Sequence, residues 1–342
     1  MNTRVNSFYR WSLFGTLAIL TMLPATVTAA PAAAEGRWAL EIKGGGAGWL
    51  EIKAHEGWYD GSLLWIGGSV VPAANVTFAD DQVLVTRVRQ VERKNASGTV
   101  VRTQQITDSI TAEISGDKLT GMMTAPRLNG QGFEKTAFSG KRIPNLPPRP
   151  DLRKAKWGDP IQLFNGRDLT GWRMVEPGSE NGWLVESGAL ANRPHQPEGQ
   201  PKKRFGNIRT QQEFEDFNLK LEVKVPPHNN SGVYLRGIYE VQVFDSFGKP
   251  LDSHNMGAIY SRITPSVAAE KPAGEWQTLD ITLLDRHVTV VLNGTTIIDN
   301  QPLQGCTGGA LWSDEFRPGP IYLQGDHGSV DYRKLVLRPF VK

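Results

Sequence analysis

From residue 36 onward, turn-forming residues interrupt this chain before any apolar periodicity of helical length can develop. The first interruptions are Gly44-Gly-Gly, Asp60-Gly, Gly67-Gly, Asp80-Asp, Asn95-Ala-Ser-Gly and Ser115-Gly-Asp. Between them lie short runs such as Arg37-Trp-Ala-Leu-Glu-Ile, Gly48-Trp-Leu-Glu-Ile, Ser62-Leu-Leu-Trp-Ile and Gln82-Val-Leu-Val-Thr-Arg-Val. Several alternate apolar and polar residues, and a period of two puts every second side chain on one face of a strand. The 36 Gly and 22 Pro among 342 residues supply the turns that many short strands need. The fold class is therefore all-β. Residues 35–142 predict a small antiparallel sheet or barrel. Residues 161–342 predict a β-sandwich, because a long stretch of antiparallel strand must bury one face on a second sheet. Its strand runs include Phe217-Asn-Leu-Lys-Leu-Glu-Val-Lys-Val and Trp276-Gln-Thr-Leu-Asp-Ile-Thr-Leu, and Asn293-Gly294 suits a type I′ hairpin turn. Residues 143–160 hold five prolines and read as a stiff linker.

Residues 1–34 read as an address. Arg4 and Arg10 precede the nearly apolar run Trp11–Leu23, and the small-residue stretch Ala25–Ala34 follows. That order is the signature of a secretory signal peptide cleaved after Ala34, or after Ala29 or Ala30. Pro24 ends the run short of the roughly 20 apolar residues of a membrane span. A secreted or periplasmic protein without a membrane span in the mature chain is expected. The formal charge is +3, from 38 basic and 35 acidic residues. That near-balance argues against nucleic acid as a partner, because such proteins carry a strong basic stripe. One cysteine, Cys306, excludes an intrachain disulfide framework and any Cys-rich metal site. Oligomeric state is not readable from the sequence.

Residues 36–142 show no acid pair, metal-ligand spacing or nucleophile motif, and His55 stands alone in a loop. The segment Asn229-Asn-Ser-Gly-Val-Tyr-Leu-Arg-Gly-Ile-Tyr-Glu-Val-Gln-Val-Phe-Asp carries more chemistry. Read as one strand, it puts Tyr234, Arg236, Ile238, Glu240, Gln242 and Phe244 on one face, and Val233, Leu235, Tyr239, Val241 and Val243 on the other. The second set faces a core. The first either lines a concave polar surface able to hold a sugar or is a solvated outer face. Gln324-Gly-Asp-His327 adds an imidazole beside a carboxylate, a pair able to do acid–base work. Asp245-Ser-Phe-Gly and Asp252-Ser-His254 form a polar loop just after the strand. No G-x-S-x-G, H-E-x-x-H, P-loop or G-x-G-x-x-G motif is present, which argues against serine hydrolysis and nucleotide chemistry. Trp58, Trp65, Trp172, Trp183, Trp276 and Trp312 are candidate sugar platforms.

Phe164-Asn-Gly-Arg-Asp-Leu-Thr-Gly-Trp172, Gly182-Trp-Leu-Val-Glu-Ser-Gly-Ala-Leu190, Asn230-Ser-Gly-Val-Tyr-Leu-Arg-Gly-Ile-Tyr-Glu-Val-Gln-Val, Gly257-Ala-Ile-Tyr, Gly274-Glu-Trp-Gln and Gly319-Pro-Ile-Tyr-Leu-Gln-Gly-Asp-His-Gly328 occur in that order. Together, over about 161–340, they resemble the 3-keto-disaccharide hydrolase domain. One departure is Gly325, inserted before Asp326-His327. Residues 36–142 lie outside the resemblance and are similar at most to small lipocalin-like barrels. The resemblance implies a concanavalin-like jelly-roll sandwich and a carbohydrate substrate whose glycosidic bond breaks by elimination next to a C3 ketone, followed by hydration. It implies Glu240 as base or metal-facing carboxylate, Arg236 holding the keto or enolate oxygen, and His327 as acid, base or ligand. Asn230, Gln242 and Gln324 would orient the sugar, with Asp245 and Tyr234 beside it. A divalent cation could take the place of Arg236 as the enolate stabiliser; no metal-ligand spacing specifies one, and no other cofactor is implied. Two alternatives stand beside catalysis: a non-catalytic carbohydrate-binding module, and a cell-surface interaction protein. Loss of most turnover with retained binding in Glu240→Gln marks a catalyst, whereas a binder tolerates the change with modest loss.

Overall fold

The computed structural model describes residues 34–79, 82–199 and 203–341. The signal-peptide reading, apart from Ala34, and the Asp80-Asp81 turn lie outside the described residues. Among the described residues the chain is built from strands and one 3₁₀ turn, Leu152–Lys154. No helix there is long and apolar enough to cross a membrane.

The first sheet is formed by β1 (Gly36–Ile42), β2 (Ala47–His55), β3 (Trp58–Trp65), β4 (Val71–Pro72), β5 (Asn75–Ala79), β6 (Gln82–Lys94), β7 (Val100–Ser115), β8 (Lys118–Pro126) and β9 (Phe133–Ile143). Their spatial order is β4-β3-β2-β1-β9-β8-β7-β6-β5. Its two edges are consecutive in sequence. Ala73 N donates to Gly61 O in β3 and Ala74 N to Thr86 O in β6, so adjacent residues tie the two ends of the sheet together. The result is a barrel-like roll around Trp38, Leu40, Leu50, Ile52, Leu63 and Ile110.

The sandwich follows. Its larger sheet contains β10 (Lys156–Trp157), β11 (Ile161–Gln162), β13 (Trp183–Glu186), β14 (Ala189–Asn192), β16 (Phe217–Lys224), β19 (Gln277–Leu284), β20 (His287–Leu292), β21 (Thr295–Pro302) and β23 (Val330–Val341). The smaller sheet has the order β12 (Trp172–Met174), β15 (Ile208–Thr210), β22 (Tyr322–Leu323), β17 (Asn230–Leu235), β18 (Tyr239–Phe244). All their ladders are antiparallel. Alternation does what the sequence demands. In β16, Phe217, Leu219, Leu221 and Val223 are buried while the residues between them are not. Asn293 and Gly294 join β20 to β21 with φ of 51° and 84°, the left-handed pair of a type I′ turn. Two antiparallel sheets enclosing one apolar core make this the all-β jelly-roll sandwich expected from the sequence.

The proline-rich segment is strapped to the sandwich. Arg286 donates to the carbonyls of Pro144 and Asn145, and Asn300 Nδ2 donates to Pro150 O. The roll and the sandwich also share apolar packing: Ala47, Trp49, Leu64 and Ile143 belong to the same buried cluster as the sandwich core.

Candidate functional site

The site grows from the β17–β18 hairpin. Register pairs Gly232 with Gln242 and Tyr234 with Glu240 on one face, and Val233 with Val241 and Leu235 with Tyr239 on the other. The second set is buried in the core, as alternation predicts. One part of the expectation fails. The segment is not a single strand, because Arg236, Gly237 and Ile238 form the turn between two strands. Arg236 and Gly237 have φ of 55° and 68°, and Ile238 N donates to Leu235 O. Gly237, a glycine inside an apolar run, was the sequence signal for that turn.

This turn removes Arg236 from the site. Its guanidinium donates to the carbonyls of Glu315 and Arg317, and it lines a different cavity with Asp216, Asp285 and Phe316. Asp245 is also elsewhere: its Oδ2 accepts from His228 N and fixes the loop before β17. Asp252 and His254 bond to each other, and His254 Nε2 meets Ser69 Oγ of the N-terminal sheet at 2.9 Å.

Glu240, Tyr234, Asn230, Gln324, Asp326 and His327 do line one cavity of about 510 Å³, a volume typical of small-ligand sites. Gln242 sits on the same hairpin face, 2% exposed, without joining the lining. Glycine makes room for the carboxylate: a Cβ at Gly232 would stand 2.3 Å from Glu240 Oε1. Glu240 is 3% exposed, and burial pushes its carboxyl up to about 8. The Tyr234 hydrogen bond and the nearby His327 pull the other way.

The phenol of Tyr234 sharpens this picture. Its oxygen is 2.7 Å from both Glu240 Oε2 and Gly308 O. One phenolic hydrogen serves only one of these acceptors. A carbonyl brings no proton, so a neutral Glu240 that donates to Tyr234 satisfies all three atoms. When Glu240 ionises, the phenol turns to it and holds Oε2. No hydrogen bond among the described residues engages Oε1. The two tyrosines Tyr234 and Tyr322 stack beside the carboxyl with ring centroids 4.2 Å apart.

His327 Nδ1 lies 2.7 Å from Asp326 Oδ1, a bond that raises the imidazole pKa above its usual value. The loop bearing this pair is held by Asn192 Nδ2, which donates to Gly325 O and Gly328 O, both at 2.8 Å. The added Gly325 fits because it has no side chain: a Cβ there would stand 2.6 Å from Gly206 O and from Trp183 Nε1.

Three amide oxygens on this face are buried without a partner: Asn230 Oδ1, Gln242 Oε1 and Gln324 Oε1. A buried unpaired acceptor is costly, and a ligand hydroxyl is one remedy. No group of three or more His, Cys, Asp or Glu side chains is placed to hold a metal ion among the described residues.

Several lining residues escaped the sequence reading: Glu176, Arg204, Asn207, Tyr260 and Tyr322. Tyr322 was recoverable, since it lies two positions before Gln324. Arg204, an exposed cation on the cavity, sits in a loop without periodicity. Gly46, Ile66, Gly67 and Gly68 of the N-terminal roll line the cavity as well. The tryptophan platforms do not: none of the six named tryptophans is in the lining. Trp172 and Trp183 are buried, with Nε1 donating to Leu163 O and Gly206 O. Trp276 carries Lys224 and Arg333 on its face, and Trp58 stacks on exposed His55.

Residues 159–338 match the family model of the 3-keto-alpha-glucoside-1,2-lyase-like domain. Among curated protein sequences no relative matches the chain. Three similar solved structures come from Parabacteroides distasonis ATCC 8503, each provisionally named a glycosyl hydrolase. One is 29% identical, covers 58% of this chain and 94% of its own, and has a TM-score of 0.44. The second is 22% identical over 53% and 93%, with a TM-score of 0.41. The third is 23% identical over 53% and 100%, with a TM-score of 0.39.

Proposed function

Because the chain belongs to the family of 3-keto-alpha-glucoside-1,2-lyase-like domains, and so to the carbohydrate-active proteins, we propose that its cavity cleaves the glycosidic bond of sugars already oxidised at C3. The observation that carries this reading is a buried carboxyl with a pKa near 8, opening on a cavity that also holds an imidazole–carboxylate pair and unpaired amide oxygens.

The chemistry suits one strong base better than two paired acids. A C3 ketone acidifies the hydrogen on C2. Ionised Glu240 takes that proton, the C2–H electrons form a C2–C3 double bond, and the C3 oxygen becomes an enolate. The enolate electrons then return, the C1–O bond breaks, and protonated His327 gives its proton to the departing oxygen. A C1–C2 alkene remains, conjugated to the ketone. Water adds its oxygen to C1, its proton restores His327, and Glu240 returns the proton to C2. Arg204 takes the place the resemblance gave to Arg236, because it is an arginine on the cavity, and it balances the enolate charge. Asn230 and Gln324 accept hydrogen bonds from the ring hydroxyls. Export fits the order of charge, apolar run and small residues in residues 1–34.

The test is incubation with 3-keto-trehalose and a panel of 3-keto-glucosides, following free sugar. Release by the protein and its loss in Glu240→Gln, with binding retained, are expected. A well-folded sample that binds these sugars and releases nothing overturns catalysis and leaves the binding module.

A further inference from the structure

Part of the apolar lining of the cavity comes from outside the family match. Residues 159–338 carry the match, yet Gly46 and Ile66–Gly68 belong to the β1–β2 and β3–β4 turns of the N-terminal roll. Their placement is built in. Gly308 packs on Gly68 backbone to backbone, so closely that a Cβ at Gly308 would lie 2.1 Å from Gly68 O. Gly308 O is the acceptor for the Tyr234 hydroxyl beside Glu240. Val70 N donates to Ser261 Oγ at 2.7 Å, and Ser69 Oγ meets His254, whose ring packs edge-on against cavity-lining Tyr260. The loop is thus fixed to the segment that orients the base.

Ile66 is the odd residue in this loop. Its φ is 56°, a left-handed conformation that is an outlier for a β-branched side chain. It is 50% exposed, and its side chain lies over Gly46, where a Cβ would meet Ile66 Cγ2 at 2.8 Å. Strained backbone clusters at active sites and ligand clamps, so a strained residue that holds an apolar side chain at a cavity rim is a candidate for a role in that site. The surroundings give its chemistry. Asn207, Asn230, Gln324, Arg204 and His327 offer polar side chains to the cavity, whereas Gly46, Ile66, Gly67, Gly68, Ala310 and Leu311 offer none. The polar side suits a hydroxyl-rich ring and its enolate. The other side suits a group that carries an apolar face.

We propose that Ile66–Gly68 forms the leaving-group wall of the cavity, and that Ile66 selects glycosides whose leaving group presents an apolar face. This rests on the elimination reading for the ring, and extends it to the second half of the substrate and to the N-terminal roll. Ile66 is a specificity-determining residue on this view, and the roll is part of the site.

The test compares para-nitrophenyl and methyl 3-keto-glucosides as substrates. In Ile66→Asn and Ile66→Gly the ratio of kcat/KM, aryl over methyl, falls roughly tenfold, the scale of one apolar contact in a pocket. Ile66→Val, which keeps a branched apolar group, holds the ratio near that of the unsubstituted protein. Asn and Gly suit a left-handed residue better than Ile, so the thermal midpoint of either variant is expected to stay level or rise. An unchanged ratio in both variants overturns the wall. If the unsubstituted protein cleaves neither substrate, the elimination reading fails by itself. Calorimetric titration with the unoxidised para-nitrophenyl and methyl glucosides then decides: aryl binding weakened roughly tenfold by Ile66→Asn, with the same contact at stake, supports the wall, and equal affinities overturn it.

Discussion

Glu240 keeps its proton at neutral pH because burial leaves its charge no water, and the Tyr234 hydrogen bond offsets only part of that cost. As the proposed base it must be ionised, so kcat/KM for a 3-keto-glycoside is expected to climb with pH along a limb whose midpoint lies near 8, and to fall again where His327, the proposed acid, loses its proton. A pH profile checks this, and Glu240→Gln removes the limb and lowers turnover by about 10²–10⁴. The same group acts on stability with a definite sign. Its folded pKa is raised from 4.5, so its contribution is complete below about 4.5 and is lost as pH rises through about 8. Thermal midpoints read between pH 5 and 8 are expected to fall, and to fall less in Glu240→Gln. Tyr234 tunes the base. Its hydrogen bond lowers the Glu240 pKa, so Tyr234→Phe is expected to move the activity limb to higher pH; a limb that stays put or moves to lower pH rejects the phenol's role. Gly232→Ala would drive a methyl into the carboxylate, at a cost of about 1–3 kcal/mol by chemical denaturation.

The hairpin of β17 and β18 shows which parts of an element can be read from sequence. Alternation correctly divided Val233, Leu235, Tyr239, Val241 and Val243 from Tyr234, Glu240 and Gln242, because a buried face tolerates no slip of register. A three-residue turn preserves that parity on both sides, so a continuous strand and this hairpin give the same two faces. Arg236 was misplaced for the same reason: parity says nothing about a residue in a turn. Asp245 and the Asp252–His254 loop failed differently, since loop carboxylates next to a site satisfy local backbone groups as readily as a ligand. His327 was placed with the cavity by the motif, whereas Arg204 and the glycine-lined wall depend on contacts between distant segments that no local pattern encodes. Arg236 now has a structural task. Arg236→Ala strips partners from the Glu315 and Arg317 carbonyls, and a loss of about 1–3 kcal/mol in denaturant unfolding is expected.

Over the whole molecule, roll and sandwich behave as one body. Trp49 and Leu64 are packed into the sandwich cluster, Arg262 lies over Trp49 with its guanidinium carbon 4.1 Å from the ring centroid, and Ser313 Oγ donates to Leu40 O. The strapped prolines hold the connection at both ends. A chain cut at residue 151 and expressed as the sandwich alone is therefore expected to expose this apolar surface and to aggregate, as light scattering would show; a monodisperse, fully stable fragment would mean that the shared packing contributes little.

Cys306 sits at the seam between these two parts, 1% exposed, with its sulfur 3.9 Å from Gly48 O and burial pushing the thiol up to about 12. The molecule thus carries its own gauge of intactness. A maleimide or a fluorogenic thiol reagent is expected to reach that sulfur when roll and sandwich separate, so the labelling rate would report how often the cavity loses one of its sides.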